Sequence, residues 1–317
     1  MKVLVTGATS LLGRSVALDL AARGDSVTCF QRSPSRTGLR EVRGDVRDVA
    51  TLVQAAEGHD ALIHIAALVA PRAGWSEAYG VNVTGTVNAR RAARECGRFV
   101  HISTPSVAFD DGPAVGIGAK AASYAGRDVY ARTKAIAERL VLENDEVTTV
   151  VVRPHLVWGP GDTQLVGRIV SRARQHRLAV PDHGNALVDT TYISDASLAV
   201  VAALDHARDG DAACSKAWVV TGGDPRPVAE LMRGILLAAG LSPTFRSIPA
   251  PVASLAGRLV DRLWRGDEPP LTHFAARQLS VAHWFDQRET QRVLGWQPRV
   301  SVDEGLVRLA QWFSESR

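Results

Sequence analysis

Short apolar runs alternate with helix-length amphipathic segments through the first half of the chain. Val3–Thr6, Ser26–Phe30, Ala61–Ile65, Phe99–Ser103 and Thr148–Arg153 read as strands. Leu11–Arg23, Thr51–Glu57, Val81–Cys96 and Tyr130–Leu142 read as the helices between them. Strands that alternate with helices predict an α/β fold, a doubly wound parallel sheet covered on both faces. Beyond about residue 155 the pattern loses regularity and gains proline. Residues 1–155 are therefore expected to form a dinucleotide-binding domain, and 156–317 mainly a smaller C-terminal substrate-binding region. Strands near Val188–Ile193 and Ala217–Val220 are expected to return to the sheet. The Gly/Ala-rich stretch Asp110–Arg127 reads as a loop, either a lid or plain surface.

Composition narrows the class without naming a chemistry. A chain of 317 residues, 46% hydrophobic and 22% charged, can bury a large core. Its formal charge of +4 comes mostly from scattered arginines, which argues against a nucleic-acid partner. Cys29, Cys96 and Cys214 lie far apart with no CxxC or histidine-rich companion, so neither a metal site nor a disulfide framework is expected. The apolar run at Val3–Val5 is too short for a signal peptide, and no apolar stretch has the length of a membrane span. A soluble, cytoplasmic protein is the expectation.

Chemistry enters at two places. The turn Thr6-Gly7-Ala8-Thr9-Ser10-Leu11-Leu12-Gly13 joins the first strand to the first helix. Gly7 allows the turn, Gly13 allows close helix–strand packing, and the helix N-terminus offers N–H groups to a pyrophosphate. Ser10 stands where a middle glycine is usual; it is small, and its hydroxyl could itself meet a phosphate. The second strand ends at Arg32 rather than at an acid, with Arg36 beyond. A guanidinium suits a 2′-phosphate, so NADP(H) is preferred, with NAD(H) possible. Asp45, followed by Val46, could accept a hydrogen bond from the adenine amine. Further on, Tyr130 and Lys134 share one helix face, one turn apart. A phenol can protonate a developing alkoxide, and a nearby ammonium is expected to lower the phenol's pKa.

Taken together, these residues resemble the extended short-chain dehydrogenase/reductase family. The matching elements run in order through Thr6-Gly7-x5-Gly13, Asp45-Val46, His64-Ile65-Ala66-Ala67, Asn82-Val83-x-Gly85-Thr86, Ser103-Thr104-Pro105-Ser106-Val107, Tyr130-x3-Lys134 and Arg153-Pro154. Within that family the chain looks like the 3β-hydroxysteroid dehydrogenase-like branch. There it most resembles the OleD-type 2-alkyl-3-oxoalkanoate reductases of bacterial long-chain olefin biosynthesis. The stretches carrying this include Val157–Asp162, Asn185–Tyr192, Pro269–His273 and His283–Phe285.

The resemblance implies a Rossmann fold and an NADPH-dependent ketoreductase acting on a bulky, apolar long-chain substrate in olefin or β-lactone synthesis. It also implies homodimerisation through helices such as Val81–Cys96 and Tyr130–Leu142, and association with partner enzymes of the pathway. It assigns Thr104 to orienting the substrate carbonyl, with Ser103 and Ser106 as neighbouring alternatives. Tyr130 becomes the general acid, and Lys134 the holder of the nicotinamide ribose. Ala66 and Ala67 pass close to the cofactor, Pro154 places backbone near the nicotinamide, and Thr9, Ser10, Leu11 and Leu12 line the pyrophosphate turn. Asn82 ties its helix to neighbouring backbone. His64 and His101 read as core histidines, and His155 faces either substrate or core. Trp158, Trp284, Phe285 and Trp296 read as packing residues. A 3β-hydroxysteroid dehydrogenase is the alternative, and a nucleotide-sugar epimerase or dehydratase a further one. Val252–Trp264 reads as an amphipathic helix that covers a lipid-like substrate, touches a membrane surface or simply packs.

Overall fold

Seven strands hydrogen-bond into one all-parallel sheet in the order Lys216–Val220, Thr148–Pro154, Arg98–Ile102, Ala61–His64, Lys2–Thr6, Ser26–Gln31 and Arg40–Arg43. The structure is a computed structural model that describes every residue except 70–72, 109–111, 124–127, 144–145, 265–272 and 317. The side chains of 261 and 273–275 also lie outside the description. The first half runs β1 (Lys2–Thr6), α1 (Leu11–Ala22), β2 (Ser26–Gln31), β3 (Arg40–Arg43), α2 (Val49–Ala56) and β4 (Ala61–His64). It continues through α3 (Trp75–Tyr79), a π-helical turn (Gly80–Thr84), α4 (Gly85–Ala92), β5 (Arg98–Ile102), β6 (Ala114–Ile117), α5 (Val129–Leu142) and β7 (Thr148–Pro154).

The strands are nearly continuous apolar runs because both faces of the sheet are covered. Val3, Val5, Ile63, Val100 and Val152 pack on the side of α1, while Leu4, Leu62, Phe99 and Val151 pack on the opposite side with Leu52 of α2 and Ala89 of α4. Two boundaries moved for local reasons. The α2 helix starts at Val49 because the Asp48 carboxylate accepts from the Ala50 and Thr51 N–H groups, capping the turn before Thr51. The helix expected at Val81 starts at Trp75 and passes through the π-turn.

The second half contains β8 (Val157–Trp158), α6 (Val166–Arg174), β9 (Ala179–Pro181), β10 (Leu187–Val188), β11 (Thr191–Tyr192), α7 (Ile193–His206) and β12 (Lys216–Val220). After these come β13 (Arg226–Pro227), α8 (Val228–Ala238), β14 (Arg246–Ile248), α9 (Ala250–Leu263), α10 (His273–Ser280), β15 (His283–Phe285), α11 (Arg288–Leu294) and α12 (Val302–Glu315). Of the two strands expected to return to the large sheet, β12 does so, beside β7. Residues 188–193 do not. They split into β10, which pairs with β13 and β15, and β11, which pairs with β8. The break falls at Asp189 and Thr190, where the Asp189 N–H turns to the His283 carbonyl. A separate apolar core of Trp158, Ile169, Met232, Ile235 and Leu309 holds this half together. Within 112–123, the segment read as a loop contains β6, which pairs in parallel with β15; 110–111 and 124–127 lie outside the described residues, as does most of Pro269–His273.

Candidate active site

The chain leaves β1 toward β2 and β3, then crosses back to β4, β5 and β7, so strand order reverses between β1 and β4. In an open parallel sheet that reversal leaves a crevice at the carboxyl ends of the strands. The predicted residues converge on that edge. Gly7–Gly13 follow β1, Arg32 follows β2, Ala66 and Ala67 follow β4, Ser103 and Thr104 follow β5, and Pro154 ends β7.

Gly7 has φ +79°, and a Cβ there would stand 2.7 Å from the Ala66 nitrogen; one at Gly13 would stand 2.2 Å from the Gly7 carbonyl oxygen. Only glycine lets β1, α1 and the turn after β4 close this tightly. The Ser10 hydroxyl donates to the Gly7 carbonyl (2.8 Å) and accepts from the Gly13 N–H (3.1 Å). It caps α1 and is committed to the turn, not turned to a phosphate as the sequence allowed. The first-turn N–H groups of Leu11 and Leu12 have no intrahelical acceptor, so they fit the pyrophosphate of a dinucleotide. Arg32, Ser33 and Arg36 are exposed. Both Asp45 oxygens accept from Arg47, at 2.7 and 3.0 Å from its guanidinium, and these bonds hold the carboxyl below its usual range. Val46 is buried.

A chain of hydrogen bonds runs behind the crevice. The Thr6 hydroxyl accepts from the Ile65 and Ala66 N–H groups, so its proton points at His64 Nδ1, 2.9 Å away. His64 Nε2 then carries the hydrogen and donates to Thr86 Oγ1 (3.2 Å), which donates to the Asn82 carbonyl (2.7 Å). The Asn82 side chain accepts from the Leu68 N–H and donates to the Leu68 carbonyl and to Thr133 Oγ1 on α5. Asn82 and Thr133 are fully buried, and Asn82 sits in the middle of the π-turn. The sequence pointed to Asn82; nothing in it pointed to Thr133 or to the relay through Thr6, His64 and Thr86.

Tyr130 is half-buried in the first turn of α5, which Asp128 caps through the Ala131 N–H (2.9 Å). Lys134 is buried, and its Nζ donates to the Ile102 carbonyl (2.6 Å) and lies 3.3 Å from His101 Nε2. Burial pushes the Lys134 ammonium down to about 7, against the Glu138 carboxylate, which pulls it up. The expected lowering of the Tyr130 phenol by Lys134 is not what this geometry gives. Burial, then the Asp128 carboxylate, pushes the phenol above its ordinary value, while the ammonium is spent on the end of β5. His64 and His101 are buried and stacked, centroids 5.6 Å apart, and burial holds both in the neutral form.

Thr104 and Ser106 are half-buried and hydrogen-bonded to each other (3.3 Å), while Ser103 is buried. His155 is buried, donates from Nδ1 to the Asp189 carbonyl (2.6 Å) and meets His283 and Phe285 edge-on. Trp158, Phe285 and Trp296 are buried and Trp284 lies against Gly116, so all four pack. A cavity of about 680 Å³ lies on the flank, lined by Lys120, Glu138, Arg153 and Trp218. Thr104, Tyr130 and Lys134 take no part in its lining, so it is not where this chemistry would occur.

The profile of the NAD dependent epimerase/dehydratase family matches residues 3–220. A 2-alkyl-3-oxoalkanoate reductase of Stenotrophomonas maltophilia is 40% identical, over 98% of each chain. A 2-alkyl-3-oxoalkanoate reductase of Shewanella oneidensis is 33% identical, over 96% of this chain and 84% of its own. Among solved structures, MoeE5 in complex with UDP-glucuronic acid and NAD superposes with a TM-score of 0.77 at 26% identity, covering 100% of both chains.

Proposed function

The chain belongs to the NAD dependent epimerase/dehydratase family and is an NAD(P)-dependent oxidoreductase, and from that premise we propose that it reduces the 3-ketone of a long-chain 2-alkyl-3-oxoalkanoate to the 3-hydroxy acid. Bound in the crevice, the reduced nicotinamide cofactor supplies the hydride. The Tyr130 phenol, kept protonated by its surroundings, delivers the proton to the carbonyl oxygen. The Thr104 hydroxyl orients that oxygen, and Lys134 is within one helical turn of Tyr130 to hold the nicotinamide ribose and resupply the proton. Leu11, Leu12 and the Gly7–Gly13 turn cradle the pyrophosphate, with Thr9 and Ser10 shaping the turn. Asp45 and Val46 border the adenine, Ala66 and Ala67 leave room beside the cofactor, and Pro154 faces its nicotinamide end. Exposed Arg32 at the end of β2, where an acid would grip a ribose diol, supports NADP(H) over NAD(H).

The substrate reading is carried by one observation: the alignment to a 2-alkyl-3-oxoalkanoate reductase, 40% identical overall, spans 98% of this chain and so takes in the half beyond residue 155. The exposed Trp75, Tyr79, Val87 and Leu140 on α3–α5 support a homodimer across those helices. No helix among the described residues is long and apolar enough to cross a membrane, and the three cysteines are free, which supports a cytoplasmic place.

The test is oxidation of a 2-alkyl-3-hydroxy acid, the stable end of the reaction, with NADP⁺ and with NAD⁺. A 3β-hydroxysteroid runs in parallel, beside Tyr130→Phe. Turnover of the branched acid, faster with NADP⁺ and lost in Tyr130→Phe, is the expected result. Turnover of the steroid alone overturns the substrate reading.

A further inference from the structure

On α9, Ala253 and Gly257 are buried, whereas Val252, Leu255, Leu259 and Leu263 are 54%, 56%, 51% and 68% exposed. Spacings of three, four and four residues set these side chains in one stripe, about 16 Å long at the helical rise. Pro251, Arg258 and Arg262 are exposed along one flank of it, and the described residues of that face include no acid. Among the described elements α10 alone packs substantially on α9, and α10 in turn rests on β9. The helix is thus an outermost, convex ridge, apolar along its crest and cationic along its edge.

We propose that α9 is a membrane-surface helix that lays its Val252–Leu263 crest into the acyl boundary of an anionic lipid leaflet, with Arg258 and Arg262 on the headgroups. Three features favour lipid over a protein partner. A ridge of a single helix offers no groove to receive a side chain, whereas it suits insertion to the shallow depth of interfacial helices. Four large apolar residues give only weak, reversible binding, and two cations supply the second attraction that such anchors need. Among the described residues of the exposed face the charge is of one sign, that of Arg258 and Arg262, complementary to phosphate headgroups.

The position of the ridge gives the docking a use. From α10 the chain enters β15, whose His283 and Phe285 meet His155, the residue after Pro154 at the crevice. Docking α9 would bring the substrate side of the crevice to the lipid surface. That consequence rests on the lipid-substrate reading above; the binding itself does not, and vesicles test it without substrate.

The experiment is vesicle co-sedimentation of the full chain with phosphatidylcholine alone and with about one-third phosphatidylglycerol. Wild type is expected to pellet with the anionic vesicles and to be released as salt rises. Leu255→Glu/Leu259→Glu should lower that partition roughly 100-fold, from the loss of two apolar insertions. Arg258→Gln/Arg262→Gln should lower it roughly 25-fold on anionic vesicles, and leave the weak binding to neutral ones unchanged. Both variants should keep the circular dichroism spectrum and the rate on a short, water-soluble 3-oxo ester. The proposal fails if wild type stays in the supernatant, or if the leucine variant pellets equally. It also fails if wild type without vesicles sediments as an oligomer that the leucine variant dissolves, since the crest is then a contact between copies. Vesicle binding with no turnover of any branched acid would keep this inference and sink the substrate reading.

Discussion

Replacing Glu138 by glutamine tests what fixes α5 against the sheet. The Arg153 guanidinium is 1% exposed and the Glu138 carboxylate 0%, and the two meet in a bidentate pair, Nε to Oε2 at 2.8 Å and Nη2 to Oε1. Glutamine keeps one acceptor but turns an NH₂ donor toward a guanidinium N–H. One contact becomes neutral, the other repulsive, and Arg153 is left as a buried, uncompensated cation. Breaking such a pair costs about 3–5 kcal/mol, against at most about 1 kcal/mol for a solvated one. For a chain of this length, that is a fall in Tm of roughly 10 °C. Urea unfolding followed by tryptophan fluorescence, with a thermal scan beside it, reads both. The partner change Arg153→Met with Glu138→Leu should recover most of the loss, less the Lys120 carbonyl that Arg153 now serves at 2.6 Å. The Glu138 carboxylate also pulls the Lys134 proton affinity up, so in Glu138→Gln that proton should leave below pH 7 and the pH–rate profile move acidward. A stability loss under about 1 kcal/mol would refute the claim that this pair locks the helix.

Three further outcomes follow from the same geometry. Lys134 titrates near 7 when folded and near 10.5 when free, so between those values the unfolded chain binds the extra proton, and cofactor-free stability should rise with pH across that window. Urea titrations should show this slope in wild type and its absence in Lys134→Met. Arg32→Ala should lower kcat/KM for NADPH roughly 10- to 100-fold, the worth of a charged hydrogen bond, and leave NADH within about twofold; steady-state kinetics with both cofactors decide it. Asn82→Ala strips the Leu68 amide and Thr133 of their buried partner, so we expect a loss of about 2–3 kcal/mol together with slower turnover, by urea unfolding and kinetics.

The large sheet was legible because its strands carry the signal that burial on both faces imposes, unbroken apolar runs between helix-length segments. Glycine carried the cofactor turn, since Gly7 and Gly13 stand where a Cβ would strike backbone. Edge and second-half elements were not legible for the opposite reason. Residues 40–43 read as polar because an edge strand buries little, and β10 and β11 are too short to show a period. The Tyr130–Lys134 spacing located both groups on α5 but not their state. The lysine proton goes to the Ile102 carbonyl, an acceptor on another strand that no spacing within α5 reveals. Likewise, Glu138 and Arg153 are each visible in sequence, and only the packing of α5 on β7 pairs them.

The pairing of β6 with β15 carries a consequence for how the protein is made. Between Thr104 and Tyr130, the strand Ala114–Ile117 finds its partner at residues 283–285. Synthesis proceeds from the N-terminus, and domains tend to fold as they emerge. All seven strands of the large sheet are free to pair once Val220 has cleared the ribosome, and Gly7, Tyr130 and Lys134 are already out by then. A nascent chain at that point can offer a nucleotide cleft, but the span beside Thr104 still waits for its clasp. Activity is therefore a late arrival in the life of each molecule.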